Sequence, residues 1–175
     1  MNKKFFLAAM ITFFLIFTSC SKDNNGSIDA TEADIIGTWN LTALETTNGR
    51  TTTIIDGEST VTDFDAVGQD FATVVIFSEN PQIVTSEGTY TTVITSTVMG
   101  ETTTQEEQGE NFFESDEWRL DGDILYFGTG EEELGFTIIS LSDAEILLRY
   151  TIDETVDFFG AIITVSATYN MTLSK

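Results

Sequence analysis

The chain contains no histidine, one cysteine and one proline, and only seven basic residues against 29 acidic ones in 175. Without histidine it lacks the commonest general base, the side chain that titrates near neutral pH, and the commonest transition-metal ligand. A single cysteine permits no internal disulfide and no cysteine-rich zinc site. A single proline, Pro81, leaves almost no segment barred from a β-sheet. The shortage of positive charge gives a formal net charge of −22. Such a body repels nucleic acid, whose binding is dominated by phosphate neutralisation. It also repels anionic lipid surfaces and stays soluble. Acidity of this kind is more often a solvated surface than a cation store.

Long apolar runs are equally scarce. There is one, Phe5 to Phe17, interrupted only by Thr12 and preceded by Lys3 and Lys4. As a helix it would rise about 20 Å, short of the roughly 30 Å hydrocarbon core of a bilayer. It therefore reads as a secretory signal and not as a permanent span. Phe17-Thr18-Ser19 then leads directly into Cys20, and the polar stretch "SKDNNGSIDATEAD" follows. This arrangement resembles the lipobox of bacterial lipoproteins, in which the cysteine becomes the acylated first residue. Phe17 stands where that family usually has Leu. The resemblance implies that residues 1–19 are a cleaved signal peptide, that Cys20 is lipidated (palmitate among its acyl chains), and that residues 20–33 are a flexible tether. Acyl chains contribute about 0.8 kcal/mol per buried CH₂, so several hold a protein far more firmly than one. Removing residues 1–19 takes away Lys3 and Lys4 and no acid, which leaves five basic against 29 acidic groups, a net −24. Ser21 resembles the residue that permits outer-membrane sorting. Lys22-Asp23 resembles the short charged export tags of surface-displayed lipoproteins. The expected address is the outer membrane, either at the cell surface or on the periplasmic face.

From Ile35 to Leu173 the apolar period is mostly two, and Thr, Val, Ile, Phe and Tyr dominate, which suits half-buried strands. About nine short strands are expected, at 36–45, 51–56 with a possible partner at 59–64, 71–77, 88–98, a run ending at 120, one beginning at 124, 134–141, 145–152 and 161–173, with a turn at Thr31 to Asp34. The spacing is that of antiparallel hairpins. In "WRLDGDILYF" a two-residue turn puts Trp118, Leu120, Leu125 and Phe127 on one face, with Arg119, Ile124 and Tyr126 on the other. A turn over Ser142 to Glu145 groups Ile139, Leu141, Ile146, Leu148 and Tyr150, and turns Arg149 outward. The last strand alternates, with Ile163, Val165, Ala167, Tyr169, Met171 and Leu173 inward. Long strands with one wet face favour a closed or nearly closed barrel, which removes adhesive edges. "MGETTTQEEQGE", residues 99–110, has no apolar pattern and reads as a mobile loop.

At "IIGTWNLTAL" the chain resembles the first strand of lipocalin-like domains, with Gly37-Thr38-Trp39 in place of their G-x-W signature. It is similar in particular to the small lipocalin-like lipoproteins of Gram-negative bacterial envelopes. Their F…N…G-x-Y hairpin has its counterpart in "FSENPQIVTSEGTY", 77–90, and their I-x-x-L-S-D-x-E-L turn in "IISLSDAEIL", 138–147. The resemblance spans about residues 34–175. It implies a single antiparallel lipocalin-like β-barrel of about 8–10 strands, shaped as a cup for an apolar or amphipathic small molecule. In that family the Trp packs against an Arg near the last strand. Here the last strand carries no Arg, and Arg149 lies one strand earlier. Thr62-Asp63-Phe64 resembles the family's T-D-Y motif but comes earlier in the chain.

The chemistry is otherwise sparse. Asp121-Gly122-Asp123, with Asp116 and Glu117 nearby, lacks the ligand order of a calcium loop and reads as a hairpin turn. "GTGEEE", 128–133, has no Lys and places acids where a phosphate would sit. Nothing places two carboxylates together in a cleft as a glycosidase requires. No enzyme, metal or cofactor is expected. The inward aromatics Trp39, Phe77, Trp118, Phe127, Tyr150 and Tyr169 are either core or the lining of an apolar pocket whose Tyr hydroxyls orient a ligand. Two functions follow as expectations: non-catalytic binding of a small molecule, or a filled barrel acting as a structural, protein-binding or glycan-binding module of the envelope.

Overall fold

The computed structural model describes residues 28–130 and 133–175. Cys20, the signal stretch and the start of the tether lie outside the described residues. Thr31 opens a short helix, α1 (Glu32–Ile35). Its backbone N–H and its hydroxyl both donate to Asp34 Oδ2, at 2.9 and 2.6 Å. Residues just before it, read as tether, already belong to the fold: Ile28 and Ala30 pack against the core.

Strand β1 (Gly37–Ile55) fuses two stretches that the apolar pattern separates. It runs through the polar segment between them with a bulge between Thr47 and Arg50. Its return is bent: β2 (Glu58–Gln69) pairs with the far half of β1, and β3 (Val74–Phe77) with the first residues of β1. The next strand is bent in the same way. β4 (Ile83–Glu87) and β5 (Thr89–Val98) meet at Gly88, whose φ is 120° and whose missing Cβ would collide with the Ala72 carbonyl. The chain continues through β6 (Glu101–Glu110), β7 (Asp116–Asp121), β8 (Ile124–Phe127), β9 (Leu134–Leu141), β10 (Glu145–Phe158) and β11 (Ala161–Ser174).

The strand order is β11-β10-β9-β8-β7-β4-β3-β1-β2-β5-β6, and β11 also pairs with β1. That closing pair extends from Asn40↔Ser174 to Ile54↔Ile162. It rings part of an antiparallel sheet and leaves β2, β5 and β6 as a flap on the far half of β1. The body is all-β and barrel-like, ringed at one end and open at the other. At the open end β10 from Tyr150 onward pairs only with β11, because its pairing with β9 ends at Arg149↔Thr137.

Strand β6 corrects an expectation. Residues 99–110 read as a loop for want of apolar side chains, yet Glu101–Glu110 pairs residue for residue with β5. Nearly every residue of β6 is exposed, so no alternation is demanded of it. Backbone hydrogen bonds and contacts such as Thr97 Oγ1 to Thr102 Oγ1 at 2.9 Å hold it in place. Its acidic side chains discourage further strands from adding to this edge.

The core fills the ringed part. Trp39 and Leu41 of β1 are buried with Val75 and Phe77 of β3, and Ile146 and Leu148 of β10 with Met171 and Leu173 of β11. Each such side chain contributes about 1.5–3 kcal/mol by leaving water. Both indoles are satisfied: Trp39 Nε1 donates to the Ile35 carbonyl at 2.8 Å, and Trp118 Nε1 to the Ser78 carbonyl at 3.0 Å. The expected hairpin registers hold, with Trp118↔Phe127 and Leu120↔Leu125 around Gly122-Asp123, and Leu141↔Ile146 across the Ser142 turn. One face assignment does not. Leu147 opposes Ser140 but Leu148 opposes Ile138, so Ile139 is the extra residue of a bulge. Ile138 is buried in its stead, and Ile139 faces solvent.

Candidate ligand-binding site

The six aromatic residues singled out by alternation are all on inner faces, but they divide by depth. Trp39, Phe77 and Trp118 are core, essentially inaccessible to solvent. Phe77 meets Trp118 edge-on at 5.6 Å between ring centres. Tyr150 and Tyr169 are half-buried where the ring opens. They are direct partners across β10 and β11, with rings stacked at 6.0 Å and 29°. Phe127 lies between the two groups, 6.2 Å from Phe77 and 5.3 Å from Phe136. Phe136 in turn lies 5.3 Å from Tyr150, so the rings form one connected row from core to opening.

Tyr150 and Tyr169 line a cavity of about 230 Å³. Phe136 and Met171, both buried core residues, contribute to its lining, and Leu44 and Ile152 complete the β1 and β10 sides. Leu44 reaches the inner face because a register shift between Leu41 and Ala43 reverses the parity of β1. Phe112 and Leu134 line this cavity and also an adjoining hollow of about 300 Å³, which is shared with Phe136 and reaches Phe127 and Asp116. The larger hollows vary: the largest, of about 540 Å³, lies against Leu41, Phe71, Ala72 and Val74 together with Asn40, Thr42 and Thr73. One of about 370 Å³ is polar, set around the exposed Arg50–Asp63 pair, with Asn48 and Asp65. An apolar ligand gains most where the walls are already carbon.

Tyr90, whose ring lies 6.1 Å from that of Phe112, has its phenol pKa raised by burial, so it stays a neutral hydroxyl. The basic residues of the described chain are all held elsewhere. Arg119 makes a two-pronged pair with Glu133, 2.7 and 2.6 Å, and lies 3.7 Å over the outward Tyr126 ring. The pair lowers the Glu133 pKa and raises that of Arg119, chiefly through the side-chain hydrogen bond. Arg50 binds Asp63 at 2.7 Å, and this hydrogen bond lowers the Asp63 pKa. Arg149 donates to Asn170 Oδ1 at 2.9 Å on the outer face. Lys175, just past β11, sits 4.3 Å over the Trp39 ring.

Sequence reasoning found the two tyrosines and missed Phe112, Phe136, Leu44 and Ile152. Ile152 continues the alternation of Leu148 and Tyr150, which a period-two reading could have singled out, whereas Phe136 was hidden by the bulge at Ile139. Leu44 was hidden by the bulge in β1, and Phe112 lies outside any strand. Among the described residues no group of three or more acidic or cysteine side chains is placed to hold a metal ion, and no helix is long and apolar enough to cross a membrane. Comparison of the chain with family models, with curated proteins and with solved structures finds no match.

Proposed function

We propose that this chain is a membrane-anchored, lipocalin-like lipoprotein whose barrel binds an apolar or amphipathic small molecule without catalysis. The observation that carries the reading is the carbon-walled cavity at the open end, with Tyr150 and Tyr169 stacked across its side. A ligand there buries its apolar body against rings and, among the described lining residues, meets phenol hydroxyls as side-chain polar partners. The ring of antiparallel strands closed by β1 and β11, and the cation over Trp39, fit the lipocalin-like resemblance. The anchor rests on the sequence around Cys20: acylation there holds the protein at the outer membrane, and Ser21-Lys22-Asp23 favours display at the cell surface over the periplasmic face.

Two experiments test the carrier reading, and two more test the anchor and its orientation. Mass spectrometry of gently extracted protein should reveal a co-purifying small molecule, and a panel of apolar fluorophores should bind saturably. Absence of both defeats the carrier reading. Fatty-acid labelling that is lost in Cys20→Ala tests the anchor independently, and protease added to intact cells tests its orientation.

A second reading, a filled barrel serving as a structural, protein-binding or glycan-binding module, is favoured by one observation. The hairpin tips at the open end expose large apolar side chains, with Met99 at 86% and Phe159 at 96% exposure. Exposed apolar groups of this kind mark interaction surfaces when they cluster. Failure of every small molecule to bind would leave this reading standing.

A further inference from the structure

We infer that the cavity selects uncharged ligands and rejects organic anions, carboxylates included. This rests on the carrier reading above and specifies its ligand class. Positive charge is in short supply, and among the described residues all of it is placed elsewhere. Residues 28–175 contain four basic side chains, Arg50, Arg119, Arg149 and Lys175. Arg119 is held by Glu133 and Tyr126, and Arg149 by Asn170, on the outward faces of strands whose inward residues are Phe127, Tyr150 and Tyr169. Arg50 is committed to Asp63 in the polar hollow. Lys175 lies on Trp39, in the ringed part of the fold where that indole is buried. None of the four lines the apolar cavity or the hollow beside it.

Negative charge is placed the other way. Asp116 lines the adjoining hollow. Asp153 and Glu154 follow the lining residue Ile152 in the chain, and Glu133, just before the lining residue Leu134, is already paired with Arg119. An anionic head group entering here loses its hydration, finds no cation, and meets a repulsive field from a chain of net charge −22. An alcohol, amide or hydrocarbon loses little and can still use a phenol hydroxyl. The cavity volume of about 230 Å³ suits a slender molecule or one end of a longer one.

The test compares two dyes with the same ring frame, N-phenyl-1-naphthylamine, which is neutral, and 8-anilino-1-naphthalenesulfonate, which is anionic. Both are titrated into the full chain at constant ionic strength. The neutral dye should bind at least about tenfold more tightly, since only the anion must bury an unpaired charge. Equal or tighter binding of the sulfonate overturns the inference while leaving the carrier reading intact. If neither dye binds saturably, the inference is overturned, and the carrier reading is decided by the co-purifying molecule and the wider fluorophore panel. Ile152→Lys adds a cation on β10 where β9 no longer covers the strand, and should close the gap between the dyes by tightening the sulfonate. An unchanged ratio in a folded Ile152→Lys protein counts against the inference. Should that variant fail to fold, the ratio in the unsubstituted chain decides.

Discussion

The ammonium of Lys175 sits 4.3 Å over the centre of the Trp39 ring, joining the residue after the last strand to the buried indole of the first. The same indole donates to the Ile35 carbonyl at the end of α1. Trp39 thus ties helix, first strand and the end of β11 together at the ringed end. Lys175→Ala should lower stability by about 0.5–1 kcal/mol, the usual worth of an exposed cation–π contact, and Lys175→Arg should restore it. Urea midpoints of the three proteins provide the measurement. An unchanged midpoint in Lys175→Ala would show that the contact contributes nothing.

Tyr150 and Phe127 belong to the same row of rings but should respond differently to truncation. Tyr150 is half-buried at the cavity, so Tyr150→Ala should weaken binding of a neutral apolar probe by about 1–3 kcal/mol, the apolar burial lost. Its effect on stability should stay below that of Phe127→Ala, which truncates a buried ring and should cost about 3–5 kcal/mol. Thermal melting and probe titration on the two variants separate the roles. Equal losses of stability would make Tyr150 a core residue.

Two hairpin tips break a local rule. Met99 and Phe159 hold φ of 51° and 53°, each followed by a glycine at 85° and 87°, in turns where Asn or Asp is usual. A bulky side chain in this left-handed region is strained. The equivalent tip of the β1–β2 hairpin uses Asp56-Gly57. Met99→Asn and Phe159→Asn should each raise stability by a few tenths to about 1 kcal/mol and increase the melting temperature. A drop instead would mean that these exposed side chains make contacts that outweigh their strain.

Stability should pass through a maximum in mildly acid solution. Asp63 and Glu133 have pKa values lowered by hydrogen bonds from Arg50 and Arg119, and Asp34 by those from Thr31. Their folded pKa lies below the unfolded one, so their contribution is complete above the ordinary values of 3.8 for Asp and 4.5 for Glu. It is lost as pH falls from there through the folded values. Above that window the pH dependence is governed by repulsion within a chain of net charge −22, which weakens as pH falls from neutrality. The melting temperature should therefore rise from pH 7 to about 5 and fall below about 4. Asp63→Asn with Glu133→Gln should flatten the acid limb alone. A melting temperature that declines steadily from pH 7 to 3 would refute the charge-repulsion account.

Alternation by itself determined the all-β class, the hairpin around Gly122-Asp123 and the inward positions of Trp39, Trp118, Phe127, Tyr150 and Tyr169, because side chains on a strand repeat every two residues whatever the partner. Three things were decided only by tertiary structure. Strand β6 exists because β5 offers a complete row of backbone partners, and a strand exposed on both faces leaves no apolar signature. The bulge at Ile139 reverses parity within one strand, a choice made by pairing with β10 and invisible in local hydrophobicity. The cavity gathers Leu44, Phe136, Tyr150 and Tyr169 from four strands, and what separates pocket lining from core is where β9 stops accompanying β10. Both kinds of residue are apolar and inward-facing. Their depth depends on long-range pairing, which no window of neighbouring residues contains.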